Sequence, residues 1–252
     1  MVYCYSQLQL TINVKKISED IMVNQVMKKI AENIFTYEYS AKIMPGVHFP
    51  VTSSFLELDN NELMIISPGP FEQKMIQEIV AKYSTVYCVA PNAFHHLNLK
   101  SFNDIFPKID IYGPSSITKK QPWLSEKFLS LDSLKEKLTG QILFFPILGN
   151  STLDETVFYC RRSKSLIVTD LFFNMRDPMP LGRKWILSLV GAKNKIAQSK
   201  LVKKTTKDKE AYVRSVKPLN ELDCKRIIVG HGHIVEGAAE IKKALKVIGA
   251  VV

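Results

Sequence analysis

A chain of 252 residues with 46% hydrophobic and 23% charged residues can bury a sizeable core, which excludes a disordered or fibrous protein. The net charge of +10 points to an anionic ligand or surface, but much of it lies in Lys193–Lys209, where seven lysines meet one aspartate. That run has no arginine and no interleaved aromatic residue, so nucleic-acid binding is disfavoured.

Cys4, Cys88, Cys160 and Cys224 are far apart and form no CxxC or Cys/His spacing, which excludes a zinc knuckle and a disulfide framework. Reduced thiols in a cytoplasmic location are expected. The N-terminus has no basic head and apolar core of a signal peptide, and no 18-residue apolar stretch occurs, so no membrane span is expected. Export without a cleavable signal would leave no mark on the sequence.

In chain order, Ile21–Ile34 carries apolar residues at helical spacing and predicts a short amphipathic helix inside an N-terminal extension, residues 1–40. Ser53–Leu58 and Glu62–Ser67 flank Asp59-Asn60-Asn61, a hairpin signal. Phe71–Tyr83 reads as a helix and Thr85–Ala90 as a strand. Residues 126–138 are helical in part, and Gln141–Ile147 is a strand. A second hairpin joins Glu155–Arg161 to Ser165–Thr169 through Arg162-Ser163-Lys164. Residues 181–192 (LGRKWILSLVGA) predict a helix, Arg226–Val229 a strand, and 237–248 a closing helix. Strands and helices mix without an interdomain joint, so one domain with sheets under helices is expected over 1–252.

Polar residues gather where the strands end. LMIIS runs into Ser67-Pro68-Gly69-Pro70, VYCVA into Pro91-Asn92 and then His95-His96, SLIVT into Asp170, and RIIV into Gly230-His231-Gly232-His233. In layered folds functional groups collect beyond the carboxyl ends of strands, and glycines beside a histidine let the chain turn sharply. His95, His96, Asp170 and His231 offer imidazole nitrogens and a carboxylate, the donor set that zinc or iron takes. Two adjacent histidines share no helix or strand face, so both could reach one ion only from a loop. Asp170 could instead cap a helix. His48 sits among apolar residues and reads as structural or cleft-lining. His233 could orient His231 or face solvent. No base is visible beside Ser67, so a serine-hydrolase mechanism is not expected. Trp123 and Trp185 read as packing, and Cys88 as an inert strand thiol.

The blocks PNAFHHL, ETVFYCRRSKSLIVTDLFFN and RIIVGHGH, in this order, resemble the metallo-β-lactamase superfamily. More closely they are similar to a divergent branch classed as a domain of unknown function, with a Pro-Asn-x-x-His-His block and a Thr-Asp-Leu block. The resemblance runs from about Gly46-Val47-His48-Phe49-Pro50 to the C-terminal helix. It implies an α+β fold: a four-layer αββα sandwich of two mixed β-sheets with helices on the outer faces.

It also implies a metal centre, but a degenerate one. Where typical members have His-x-His-x-Asp-His, this chain has Pro91, Ala93, His95 and His96, so only His96 matches a ligand position. The second-block histidine expected near Asn150 or Ser151 is missing. Asp170 matches the bridging aspartate, and His231 the late histidine. The substitute ligand set is His95, His96, Asp170 and His231, with Glu155, which the branch's pattern also carries, as a further candidate; His95 and Asp170 would be the catalytic groups, and His95 the fourth ligand or general base. Asn92, Glu155, His233 and His48 would line the cleft or support the ligands. Cys160 stands where the branch usually carries a histidine.

Two functions follow from the resemblance. One is a metal-dependent hydrolase of an ester, thioester or phosphoester using one zinc, iron or manganese ion. The other is a non-catalytic descendant that holds no ion and binds a ligand or protein partner. An anionic small molecule, steered by Lys203, Lys204 and Lys207, is the expected ligand in either case.

Overall fold

Alternation along the strands decides the architecture. A computed structural model describes residues 27–44, 47–124, 127–176, 195–198 and 200–249. The first sheet contains, in order, β1 (Met27–Ala31), β2 (Ile34–Met44), β3 (Val47–Leu58), β4 (Glu62–Ile66), β5 (Thr85–Val89), β6 (Ile111–Gly113) and β7 (Phe128–Ser130). The strands β1 to β4 pair antiparallel, and β5, β6 and β7 continue parallel to β4. The second sheet has the order β14 (Val235–Glu236), β13 (Arg226–Val229), β10 (Ser165–Val168), β9 (Thr156–Cys160), β8 (Ile142–Pro146). There β13 and β10 are parallel and the other neighbours antiparallel. A small ribbon pairs β11 (Phe173–Met175) with β12 (Lys195–Ala197).

Successive side chains point to opposite faces of a strand. In β4, Met64 and Ile66 therefore enter a layer between the sheets, with Val89, Tyr112, Phe144, Phe158, Ile167 and Ile228. Leu63 and Ile65 point the other way, under α1 (Gln73–Val80) and α2 (Leu99–Ile105), against Ile76, Leu99 and Phe102. In the second sheet Leu166, Val168, Ile227 and Val229 face outward instead, against Tyr212, Ile241, Ala244, Leu245 and Ile248. The last four belong to α6 (Ala238–Gly249), whose apolar residues recur at i, i+3, i+4 and i+7. Tyr212 belongs to α5 (Lys209–Val216). The result is helix, sheet, sheet, helix: the αββα sandwich that the resemblance implies. No described helix is long and apolar enough to cross a membrane.

Both predicted hairpins form, with 3-10 residues Asp59–Asn61 between β3 and β4 and residues 161–164 between β9 and β10. The helix expected over Ile21–Ile34 is a correction. Residues 21–26 lie outside the described residues, Met27–Ala31 is β1, and Ile34 begins β2. Residues 27–40 are thus two strands of the main sheet rather than an appendage. The physical reason is β3, which offers a long edge that β2 pairs from Ile34↔Leu56 to Met44↔Val47. A full ladder outweighs the helical spacing of a few apolar residues. The helix expected at 181–192, with Trp185, lies outside the described residues. Among the described elements β6, β11, β12, β14, α2, α4 (Lys200–Thr205) and α5 went unpredicted, and the helical part of residues 126–138 is α3 (Leu131–Lys137), preceded by β7.

Candidate metal centre

Three strand ends meet at one point. Asp170 follows β10 by two residues, His231 follows β13, and His95 lies in the loop after β5, so both sheets contribute. Asn92 builds the His95 loop: its Oδ1 accepts from the backbone N–H groups of Phe94 (2.8 Å) and His95 (3.0 Å). Its Nδ2 donates across to Thr169 Oγ1 (2.9 Å) and Asp170 Oδ2 (2.8 Å), tying this loop to the second sheet.

Asp170 is shared between the two histidines. His95 Nε2 lies 3.2 Å from Oδ2 and His231 Nε2 lies 3.0 Å from Oδ1. One donor atom from each of His95, Asp170 and His231 lies within 4.8 Å of the others. His231 Nδ1 is 2.8 Å from the Pro50 carbonyl oxygen. A carbonyl only accepts, so Nδ1 carries a proton and Nε2 is the nitrogen that faces the site. The His231 ring is boxed edge-on by Phe49 and Phe173, with centroids 6.3 and 5.1 Å away. Gly232 lets the chain turn there: its φ is +104°, and a Cβ would sit 2.3 Å from the Asn174 carbonyl oxygen. Only glycine fits.

Glu155, just before β9, is buried behind Asp170. Because β9 runs antiparallel to β10, its start lies beside the end of β10, and Glu155 accepts from the backbone N–H of Thr169 (2.8 Å) and of Asp170 (2.9 Å). Burial, and then the charge of Asp170, push its carboxyl up to about 7 against these hydrogen bonds. Burial would also raise Asp170, but the charge of His95 and the hydrogen bonds from both histidines outweigh it and hold this carboxyl well below its ordinary value. His231 is raised: burial lowers it, and the hydrogen bond and charge of Asp170 more than compensate.

Other candidates lie elsewhere. His96 does not join the group. Its Nδ1 accepts from Gln121 Nε2 at 2.9 Å, and burial, then Lys120, lower its pKa. The histidine that matches the family's ligand position therefore faces away, and its neighbour His95 takes the place, because the Asn92 turn presents position 95 to Asp170. His233 is exposed and touches the site only through its backbone, which Asn174 holds on both sides. His48 is half-buried in β3, opposite Lys42 of β2. Cys160 is at the far end of β9, where its sulfur accepts from Asn33 Nδ2 at 3.4 Å. Asn150 works on another segment, donating to Val202 O, Thr205 Oγ1 and Thr206 Oγ1. This seats α4, while Lys203, Lys204 and Lys207 remain exposed.

The sequence reading missed one partner. Ser67 does have a base: its Oγ hydrogen-bonds His95 Nδ1. Ser-Pro-Gly-Pro at a strand end was visible, but nothing local ties position 67 to position 95.

No family model and no curated protein matches the chain. Solved structures do. The crystal structure of VMB-1 aligns with a TM-score of 0.59 at 18% identity, covering 88% of this chain and 95% of that one. The DIM-1 metallo-β-lactamase aligns with a TM-score of 0.54 at 18% identity, covering 90% and 97%. The metallo-β-lactamase FIM-1 from Pseudomonas aeruginosa, in its mono-zinc form, aligns with a TM-score of 0.59 at 12% identity, covering 90% and 93%.

The chain has the metallo-β-lactamase fold.

Within that fold the donor set departs from the family pattern at the first block. Pro91 and Ala93 supply no ligand: Pro91 accepts from Thr156 N at 2.9 Å and Ala93 is buried. What remains is two imidazole nitrogens and one carboxylate, with His231 already oriented by a carbonyl. That set suits one zinc or iron ion with a position left for water.

Proposed function

We propose that this metallo-β-lactamase-fold protein is a metal-dependent hydrolase working with one ion held by His95, Asp170 and His231. The observation that carries the reading is the convergence of those three donor atoms within 4.8 Å at the ends of strands from both sheets. An ion bound there would supply Lewis acidity and bring the pKa of a bound water towards neutrality. The chain's own residues do the positioning. The Pro50 carbonyl keeps the His231 proton on Nδ1, Glu155 fixes the backbone at Thr169 and Asp170, and Asn92 ties the His95 loop to Asp170. FIM-1 has been crystallised in a mono-zinc form, which supports a single ion as sufficient occupancy for the fold.

The substrate class proposed is an anionic ester, thioester or phosphoester. Support comes from the net charge of +10 and from exposed Lys203, Lys204 and Lys207, which would raise the local concentration of anions. The test is elemental analysis of protein purified without chelator. About one equivalent of zinc, iron or manganese is expected, and well under one equivalent in every preparation removes the reading.

One observation favours a non-catalytic alternative. Asp170 already satisfies both histidines through contacts of 3.2 and 3.0 Å, so the three side chains form a closed polar network without an ion. A protein that takes up no metal would point to this second reading.

A further inference from the structure

Ser67 has an unusual backbone for a serine. It directly follows β4, in the left-handed region with φ of +58°, and is only 2% exposed. Such a conformation persists where the surroundings over-determine it. Here the Ser67 N–H donates to the Val89 carbonyl at 2.8 Å, and its own carbonyl accepts from Ser53 Oγ at 2.6 Å. The effect is to aim Oγ at His95 Nδ1.

The chain Ser67–His95–Asp170 invites comparison with a nucleophile triad, but two features exclude attack by Ser67. Its hydroxyl is enclosed, in a residue only 2% exposed, with His95 Nδ1 as its hydrogen-bond partner. The next residue is Pro68, which has no N–H to place in an oxyanion hole, where the residue after such a nucleophile normally contributes one.

We infer that Ser67 is a positioning residue for His95: its hydroxyl holds the imidazole so that Nε2, not Nδ1, faces Asp170 and His231. A hydroxyl suits this place because it both donates and accepts. Without an ion, Nε2–H donates to Asp170 and the Ser67 hydroxyl, as donor or acceptor, partners Nδ1. With an ion on Nε2, the proton sits on Nδ1 and Ser67 Oγ accepts it. An apolar side chain would strand a buried ring nitrogen in both states. The ion-bound half rests on the single-ion reading above; the ion-free half does not.

Ser67→Gly is the test, since glycine takes the left-handed backbone without cost and loses only the hydroxymethyl group. Zn²⁺ titration by calorimetry should show 10–100-fold weaker binding than in the parent. The Co²⁺ absorption spectrum should change, while the circular dichroism spectrum in chelator stays parental. Parental Zn²⁺ affinity with a superimposable Co²⁺ spectrum overturns the inference. If the parent protein binds no ion, the hydrolase reading falls and the imidazole ¹⁵N resonances of ion-free protein decide. A displaced His95 Nδ1 signal in Ser67→Gly supports the positioning role, and identical spectra overturn it.

Discussion

Among single residues, Glu155 supports the Asp170 segment from behind. It is buried, accepts two backbone N–H groups at 2.8 and 2.9 Å, and its carboxyl is raised from 4.5 to about 7. A carboxyl raised on folding binds its proton more tightly in the native state, so its contribution declines as pH rises from the unfolded to the folded value. His231 acts in the same direction. Its folded pKa is raised, so its stabilisation is complete below 6.5 and is lost as pH rises through the folded value. Asp170 is the opposite case: its stabilisation holds above 3.8 and fades only as pH falls towards its depressed folded value. Ion-free protein should therefore be more stable at pH 5.5 than at pH 8, with Glu155 contributing on the order of 3 kcal/mol at most. Urea denaturation in chelator at the two pH values measures this, and equal midpoints would contradict the assignment. Glu155→Gln should lose about 1–3 kcal/mol, because its amide nitrogen, unlike either carboxyl oxygen, cannot accept from a backbone N–H.

At the scale of elements, the strand ends and their turns hold the candidate donor groups, and the turn after β13 is tightly constrained. Gly232 packs against the Asn174 carbonyl, and Asn174 N and the His231 carbonyl hydrogen-bond at 3.2 Å in the other direction. Gly232→Ala combines a disfavoured φ with a 2.3 Å clash, so backbone must move. Roughly 1–3 kcal/mol of lost stability is expected, together with displacement of His231 and weaker ion uptake. A variant with parental urea midpoint and parental Zn²⁺ affinity would show that the turn tolerates a side chain. The core elements behave differently. Phe158 of β9 lies fully buried between the sheets, 5.0 Å by ring centroid from Phe144. Phe158→Ala should cost about 3–5 kcal/mol in the same denaturation assay, and it lies in packing rather than at the strand ends.

For the molecule as a whole, an ion held between strand ends of two sheets binds only when both sheets are assembled. Its binding free energy is then added to the stability of the native state. At a free Zn²⁺ concentration one hundred times the dissociation constant, the gain is about 2.7 kcal/mol, or a rise in Tm of roughly 5–10 °C for a chain of this length. A thermal melt with and without metal reads this directly. No shift over a range of zinc, iron and manganese concentrations would favour the closed polar network over the metal centre. The Asp170→Asn variant should abolish any shift that the parent shows, since it removes the one carboxylate common to both histidines.

Local pattern was enough for much of the architecture. The two hairpins, the strand Arg226–Val229 and the closing helix are legible because each rests on short-range periodicity and turn chemistry. The placement of Asp170 and His231 at strand ends was legible for the same reason, as polar groups directly after apolar strands. Helical spacing over Ile21–Ile34 misled, because the partner that makes Ile34 onward a strand is β3, up to 22 positions away in the pairing Ile34↔Leu56. The contact of Asp170 with His95 rather than His96, the hydrogen bond between Ser67 and His95, and the carbonyl of Pro50 behind His231 came only from tertiary structure. Each depends on which atoms of distant segments arrive within hydrogen-bonding reach, and no one-dimensional pattern encodes that distance.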